Sequence, residues 1–212
     1  MKTLSRLSVI LALVAIAWVS IGAQDQPKTK SKSAKPAAQS AMPMPKPAPE
    51  MTKLIQKLRG SWTTAEKMEP NEMAPKGGSG KGTATFTAGP GNLSLMEKYN
   101  SHGGMGNFAG LGNFWWDSKA QAYKGVWCDT MTPDGCDASG TTKWEGDSLV
   151  SMMEGEMNGQ KMVTKLTYSD WKPNSFVMTM ESGPDAGSLK KMMTITYTKA
   201  GAAAPAADKS GQ

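Results

Sequence analysis

The chain contains one histidine, His102, and this limits the catalytic chemistry that the sequence supports. A hydrolase of the Ser-His-Asp type needs a histidine near a nucleophile held on a sharp turn. His102 lies instead in the glycine-rich segment 100–104, with no nucleophile elbow nearby. It is also the only candidate haem ligand, and such a loop positions a ligand poorly. The sequence therefore favours neither hydrolysis nor haem binding.

Three acidic residues are candidates for acid–base chemistry, namely Glu97, Asp129 and Glu156, but from the sequence any two of them could be paired and none is singled out. Asp129 shares a strand face, by period-two alternation, with Tyr123 and Trp127. It is therefore either a polar group at the rim of a cavity or a turn aspartate that caps a hairpin. No catalytic set follows from these residues, and we predict that the protein is not an enzyme.

Methionine is unusually frequent, with 17 residues, and closely spaced thioethers suit Cu(I). Met42-x-Met44 and Met178-x-Met180 have such spacing. Methionine is also a flexible filler of protein cores, and Met178, Met180 and Met193 fall where strand packing requires apolar groups. The structural interpretation is favoured, and we predict no metal site and no cofactor.

Cys128 and Cys136 are the only cysteines. The segment between them contains Pro133-Asp134-Gly135, a turn-forming sequence. An even pair in an exported chain predicts a disulfide, here one that joins two neighbouring strands at a hairpin. A redox or metal role would require a closer motif or more ligands.

The first 23 residues have the layout of a cleavable secretory signal peptide. Lys2 and Arg6 precede an uncharged apolar run from Leu7 to Ile21, and Ala23 supplies a small residue at the cleavage point. The run is shorter than the roughly 20 residues that a membrane-spanning helix needs. We therefore expect an exported protein, periplasmic or extracellular, with no stable membrane insertion after signal cleavage.

Composition divides the rest of the chain into three parts. Residues 24–49 form a linker rich in Lys, Pro and Ala, and residues 200–212 form a similar tail, neither of which can bury a core. Residues 50–199 remain as one folded domain, with 16 basic and 16 acidic residues. This balance leaves no basic stripe for phosphates, so nucleic acid is not expected as a partner. The sequence does not indicate an oligomeric state.

Within residues 50–199, the spacing of Met51, Leu54, Ile55 and Leu58 predicts one short helix. The remainder alternates with period two and is interrupted by turn signals about every ten residues. The predicted strands are 61–69, 80–88, 93–101, 107–116, 121–129, 136–145, 148–157, 160–170, 175–181 and 189–199.

Short sequential hairpins favour closure into an all-β, antiparallel up-and-down barrel of about 8–10 strands, because closure removes exposed edges. Such a barrel has room for a small ligand. Its apolar faces include Leu93, Leu95 and Tyr99, and they carry few charges, which suits an apolar or amphipathic guest. The same side chains could instead fill the barrel as a core. The candidate ligand-binding residues are Trp62, Tyr99, Trp127, Asp129, Tyr168, Phe176, Met178 and Tyr197.

A family resemblance supports the barrel. Gly60-Ser61-Trp62, which follows the predicted helix, resembles the opening of lipocalins and other calycin barrels, where the tryptophan plugs one end. Further matching residues are Gly110-Leu111-Gly112, Trp116-Asp117, Tyr123, Trp127, Asp129, Gly183-Pro184-Asp185 and the segment 191–199. Together they resemble an uncharacterised bacterial family of exported, calycin-like domains of unknown function. The resemblance implies a barrel and no particular activity, and the cysteine pair is a departure from its pattern.

These observations predict an exported, non-catalytic barrel whose partner is a small hydrophobic or amphipathic ligand. Two alternatives remain open from the sequence. One is a structural or interaction module of the cell envelope with a filled barrel, and the other is a methionine-based copper binder.

Overall fold

The structure is a computed structural model that describes residues 43–71, 74–103, 106–132, 135–157 and 159–202. The predicted signal peptide, most of the predicted linker and nearly all of the predicted tail lie outside these residues. Among the described residues, no helix is long and apolar enough to cross a membrane.

The described chain contains one α-helix and ten strands. The helix α1 is Pro49–Leu58, and a short 3-10 turn covers Pro90–Asn92. The first five strands are β1 (Gly60–Met68), β2 (Gly78–Ala88), β3 (Ser94–Gly103), β4 (Gly106–Asp117) and β5 (Ala122–Asp129). The last five are β6 (Cys136–Glu145), β7 (Ser148–Met157), β8 (Gln160–Lys172), β9 (Ser175–Gly183) and β10 (Lys190–Lys199). The predicted helix and all ten predicted strands are present.

The strands form a closed antiparallel barrel in which each strand pairs with the next in sequence. Closure is made by β1 and β10, whose register runs from Trp62 opposite Lys199 to Met68 opposite Met193. Because every strand then has two neighbours, no sheet edge is left unpaired. The all-β up-and-down barrel that the sequence predicts is confirmed.

The helix α1 lies against the barrel at the ends of β2, β3 and β4. Its apolar face, formed by Met51, Leu54, Ile55 and Leu58, is buried in the core. Gly60 connects the helix to β1 with a φ of 133°, a conformation that a side chain would strain. This requirement explains the glycine of the Gly-x-Trp motif. We call the end of the barrel that α1 covers the closed end.

Because of the period-two alternation, every second side chain of a strand points into the barrel. On β3, for example, Leu95, Glu97 and Tyr99 are buried while Met96 and Lys98 are exposed. Leu93 does not continue this face, because it follows the 3-10 turn and is 39 % exposed. The expectation that Leu93 belongs to the inner face is therefore wrong.

Candidate functional site in the barrel interior

At the closed end the buried polar groups have partners. The Trp62 Nε1–H donates a hydrogen bond to the Leu58 carbonyl at 2.8 Å. The Tyr123 hydroxyl donates to the Glu50 carbonyl at 2.8 Å and accepts from Trp144 Nε1 at 3.1 Å. The indole and phenol groups of this end are therefore satisfied in their hydrogen bonds, which is typical of a structural plug, and a groove of about 330 Å³ lies beside Trp62 and Lys57.

Aromatic rings continue from the plug into the barrel. Trp62 contacts Phe176 edge to face at 4.8 Å between centroids, and Phe176 stacks on Tyr197 at 4.3 Å. Six of the predicted lining residues are inside the barrel, with the following positions: Trp62 on β1, Tyr99 on β3, Tyr168 on β8, Phe176 and Met178 on β9, and Tyr197 on β10.

Glu97 lies between Leu95 and Tyr99 on the inner face of β3 and is only 5 % exposed. No described residue forms a hydrogen bond or an ion pair with its carboxyl group. Burial raises the pKa of Glu97 to about 8, because an apolar environment disfavours the charged form. The carboxyl group is therefore mostly protonated at neutral pH and can donate a hydrogen bond.

Three tyrosines surround Glu97, and we refer to Glu97, Tyr99, Tyr168 and Tyr197 as the acid–tyrosine cluster. Burial raises the pKa of all three phenols, and the nearby charge of Glu97 raises it further. The hydroxyls of Tyr168 and Tyr197, like the Glu97 carboxyl, form no hydrogen bond within the described chain.

These three groups are not fully occluded. In the described chain, the fully occluded polar side-chain atoms without a partner are Asn113 Oδ1 and Thr167 Oγ1. The Glu97 carboxyl and the hydroxyls of Tyr168 and Tyr197 have no partner and are not in that set, so each keeps some accessible surface. Glu97 and Tyr197 occupy inward-facing strand positions and are almost completely buried, so this remaining surface is small.

A second carboxylate joins the cluster from β1. Glu66 accepts a short hydrogen bond from the Tyr99 hydroxyl, which also lies 3.4 Å from Thr64 Oγ1. Gly80, opposite Glu66 on β2, makes room for it, since a Cβ there would lie 2.3 Å from Glu66 Oε2. Glu66 forms no ion pair with any described residue. The interior thus contains two unpaired acidic groups.

The opposite end of the barrel is lined by apolar side chains that are only partly buried. We call this set the mouth, and it consists of Phe108, Trp127, Leu166, Met180 and Met193. A glycine pair on β4 allows the Trp127 ring to lie close to the wall, because a Cβ at Gly110 would be 2.2 Å from a ring atom. Partly exposed apolar side chains around an interior with free polar groups can bind an amphipathic molecule.

Asp129 and the disulfide lie at the hairpin beside the mouth. Asp129 Oδ1 accepts hydrogen bonds from the backbone N–H groups of Met131 and Thr132, and Oδ2 accepts from Trp127 Nε1. Partial burial alone would raise the pKa of Asp129, but these hydrogen bonds outweigh it and lower the pKa. Of the two interpretations, the turn cap describes this residue, and its acceptors are occupied.

The predicted disulfide is confirmed. Cys128 on β5 and Cys136 on β6 are bonded to each other and are direct partners across the two strands.

Of the other candidate residues, His102 and Glu156 lie apart from the interior site, whereas the methionine candidates are divided between the barrel interior and positions outside it. His102 is exposed at the end of β3, beside an outer groove of about 510 Å³ that Lys81, Asn100 and Asn107 also line. Glu156 is exposed on β7. Met178 is packed in the core, Met44 is 83 % exposed, and Met42 lies outside the described residues. Within the described ranges, no three His, Cys, Asp or Glu side chains are grouped to hold a metal.

Sequence reasoning missed the acidic character of the interior. The apolar faces were expected to carry few charges, and Glu97 appeared only as one of several acids that could be paired. The signal was present, because Glu97 has the same parity as Leu95 and Tyr99, and Glu66 the same parity as Trp62 and Thr64. Parity alone did not show that barrel closure would bring these acids beside Tyr168 and Tyr197.

Comparison with solved structures finds similar barrels at low sequence identity. The crystal structure of Rv2717c from M. tuberculosis has a TM-score of 0.49 and 11% identity, with 72% of this chain and 98% of that chain covered. The S-type phycobiliprotein lyase CPES from Guillardia theta has a TM-score of 0.48 and 10% identity, with 70% and 91% covered. The redesigned beta barrel mFAP0, bound to DFHBI, has a TM-score of 0.38 and 12% identity, with 68% and 100% covered.

No curated protein matches the sequence significantly. A family profile does match, over residues 47–199, which span α1 and all ten strands. The chain therefore belongs to the family described as protein of unknown function DUF1579.

Proposed function

We propose that this protein is an exported, non-catalytic barrel that binds one small amphipathic molecule in its interior. A single observation carries the proposal. The Glu97 carboxyl and the Tyr168 and Tyr197 hydroxyls are held without partners and are not fully occluded, on inward-facing strand positions of a barrel whose closed end pairs Trp62 and Tyr123.

The free-energy cost of leaving these groups without hydrogen bonds favours a bound molecule. A buried polar group without a hydrogen bond costs about 1–3 kcal/mol in proteins. A molecule whose polar head reaches the acid–tyrosine cluster would offset this cost, while its apolar part would contact the mouth, where Phe108, Trp127 and Leu166 keep exposed surface. A filled structural barrel, by contrast, would be expected to pair its interior groups as the closed end does.

Titration with N-phenyl-1-naphthylamine, a neutral dye that fluoresces in apolar surroundings, tests for an interior site. We expect saturable binding of one dye per chain. Met180→Trp, which fills the mouth from β9, should weaken binding at least about tenfold, because the dye and the indole compete for one space. Thr179→Trp adds the same side chain at the neighbouring position outside the barrel and should leave the affinity within about twofold.

Circular dichroism of both variants confirms that the strands are retained. If the Met180 variant does not fold, Met193→Trp fills the mouth from β10 instead. Dye binding that is absent, or that responds equally to the inner and outer tryptophans, would overturn the interior site.

Native mass spectrometry of protein purified from its host tests the remaining parts of the proposal. We expect a mature chain that begins at Gln24 and that carries an additional small mass, lost on unfolding. A chain that retains residues 1–23 in a soluble fraction would argue against export. Host-purified protein without an additional mass, together with a crystal structure that shows a solid interior, would favour the filled structural barrel.

A further inference from the structure

Among the described residues of the inner strand faces, the charged side chains away from the two barrel ends are acidic. Glu66 and Glu97 point inward, from β1 and β3, and neither has a basic partner in the described chain. Lys143 and Lys165 lie on the outer strand face, and the two lysines of β10 whose register matches the inner face, Lys190 and Lys199, are exposed at opposite ends of the barrel. The interior therefore attracts cations and repels anions.

The walls of the site also suit a cation. Tyr99, Tyr168 and Tyr197 present aromatic rings beside Glu97, and Trp127 presents another at the mouth. A cation over such a ring gains about 0.5–2 kcal/mol, and more where water is excluded. The hydroxyls of Tyr168 and Tyr197 have free lone pairs that can accept hydrogen bonds from an ammonium group.

An anionic head group would be disfavoured at the same position. A fatty-acid carboxylate beside Glu97 would face Glu66 and Glu97, whereas the lysines that share the inner face by register, Lys190 and Lys199, are exposed at the two ends of the barrel. Burial of an uncompensated charge is costly, and a second charge of the same sign adds to the cost. The interior thus discriminates between amphiphiles by the sign of the head group.

From these observations we infer that the barrel selects cationic amphiphiles, with an ammonium head between Glu97 and the tyrosine rings and an apolar tail at the mouth. This inference rests on the proposed function and specifies its ligand class. Glu97 is more than nine-tenths buried, has no partner and lies on the inner face of β3, which distinguishes the site from a solvated acidic patch.

A matched series of amphiphiles tests the inference. Decylamine, decanol and decanoate share one tail length, and each is titrated against bound N-phenyl-1-naphthylamine at about pH 8, below its micellar concentration. We expect decylammonium to bind at least about tenfold more tightly than decanol, because it gains a charge-assisted hydrogen bond and cation–π contact. Decanoate should bind most weakly.

Variants assign the effect to Glu97. In the Glu97→Gln variant, the affinity for decylammonium should be within about twofold of the affinity for decanol, since the interior loses a negative charge at nearly constant volume. Glu156→Gln removes an exposed carboxylate from the outer face of β7 and should leave the ratio unchanged.

The pH dependence gives a second readout. Glu97 must lose its proton to pair with the ammonium group, and its pKa is about 8 in the empty barrel. The affinity for decylammonium should fall about tenfold per pH unit below that value, whereas that for decanol should be nearly constant. The other groups that face Glu97 are Glu66, Tyr99, Tyr168 and Tyr197, and the pKa values of the three phenols are raised, so they stay neutral in this range.

The outcomes separate the two proposals. If decanol and decanoate displace the dye as well as decylammonium does, the barrel binds amphiphiles but the charge preference is wrong. If the dye itself does not bind, the proposed function fails, and the ligand class fails with it.

Discussion

The closed end and the acid–tyrosine cluster contain similar residues in different states of hydrogen bonding. At the closed end, the Tyr123 hydroxyl makes two hydrogen bonds, and Trp62 Nε1 makes one. A short distance along the barrel, the hydroxyls of Tyr168 and Tyr197 make none within the described chain. The same residue type therefore stabilises the fold in one region, while in the other its hydrogen-bonding groups remain available to a guest.

The contrast predicts opposite contributions to stability. Paired groups at the closed end favour folding, whereas the unpaired acid in the cluster opposes folding when it must ionise. Three denaturation experiments test whether the two regions differ in this way.

The largest effect concerns pH and Glu97. The pKa of its carboxyl group is raised from 4.5 to about 8, so between these values the folded chain holds a proton that the unfolded chain has lost. Stability therefore falls as pH rises through this window, by about 3.5 kcal/mol between about pH 5 and pH 8. Urea denaturation across this range measures the change. Glu97→Gln should remove most of the slope, and an unchanged slope would show that Glu97 is not held in an apolar site.

The disulfide gives the next effect. Cys128 and Cys136 close a loop with a sequence separation of 8 residues. Replacement of both cysteines by serine should lower the free energy of unfolding by about 2.5 kcal/mol, from loop-closure entropy in the unfolded chain. Urea denaturation with and without a reductant checks this, because the reductant should destabilise only the chain that retains both cysteines. Equal stability under all conditions would contradict a structural bridge.

The smallest effect is a direct comparison of two tyrosines. Tyr123→Phe removes the partner of both Trp144 Nε1 and the Glu50 carbonyl, and should destabilise the fold by about 1.5 kcal/mol. Tyr168→Phe removes a hydroxyl that has no partner, and should stabilise the fold by about 1 kcal/mol because the cost of its unmet hydrogen bond is lost. Thermal denaturation of the two variants is the measurement. Equal losses would show that the two regions do not differ as described.

Much of the fold could be predicted because local signals repeat along the chain. Alternation and turn residues set the strands, and every observed strand begins and ends within two residues of its predicted position. Closure followed from the short hairpins. Leu93 was misplaced because a 3-10 turn, which alternation does not anticipate, shifts it out of the strand.

The site was less predictable because its members are far apart in sequence. Glu97 and Tyr99 are neighbours on one strand, but Tyr168 and Tyr197 join them only when the sheet closes on itself. Asp129, by contrast, showed its local role in the sequence, since its partners Met131 and Thr132 are two and three residues away. Interactions within one turn can be predicted from sequence, whereas interactions across the barrel depend on its closure and register.

The pairing of β1 with β10 has a practical consequence for experiments. Ala200 donates a backbone hydrogen bond to Ser61 at 2.8 Å, so the chain enters and leaves the barrel side by side, at the end that α1 covers. A tag at either boundary of the barrel would immobilise it by that end and leave the opposite end facing solution. The same adjacency makes the barrel suitable for circular permutation, with a short linker from residue 202 to residue 47 and new termini in a hairpin between two strands.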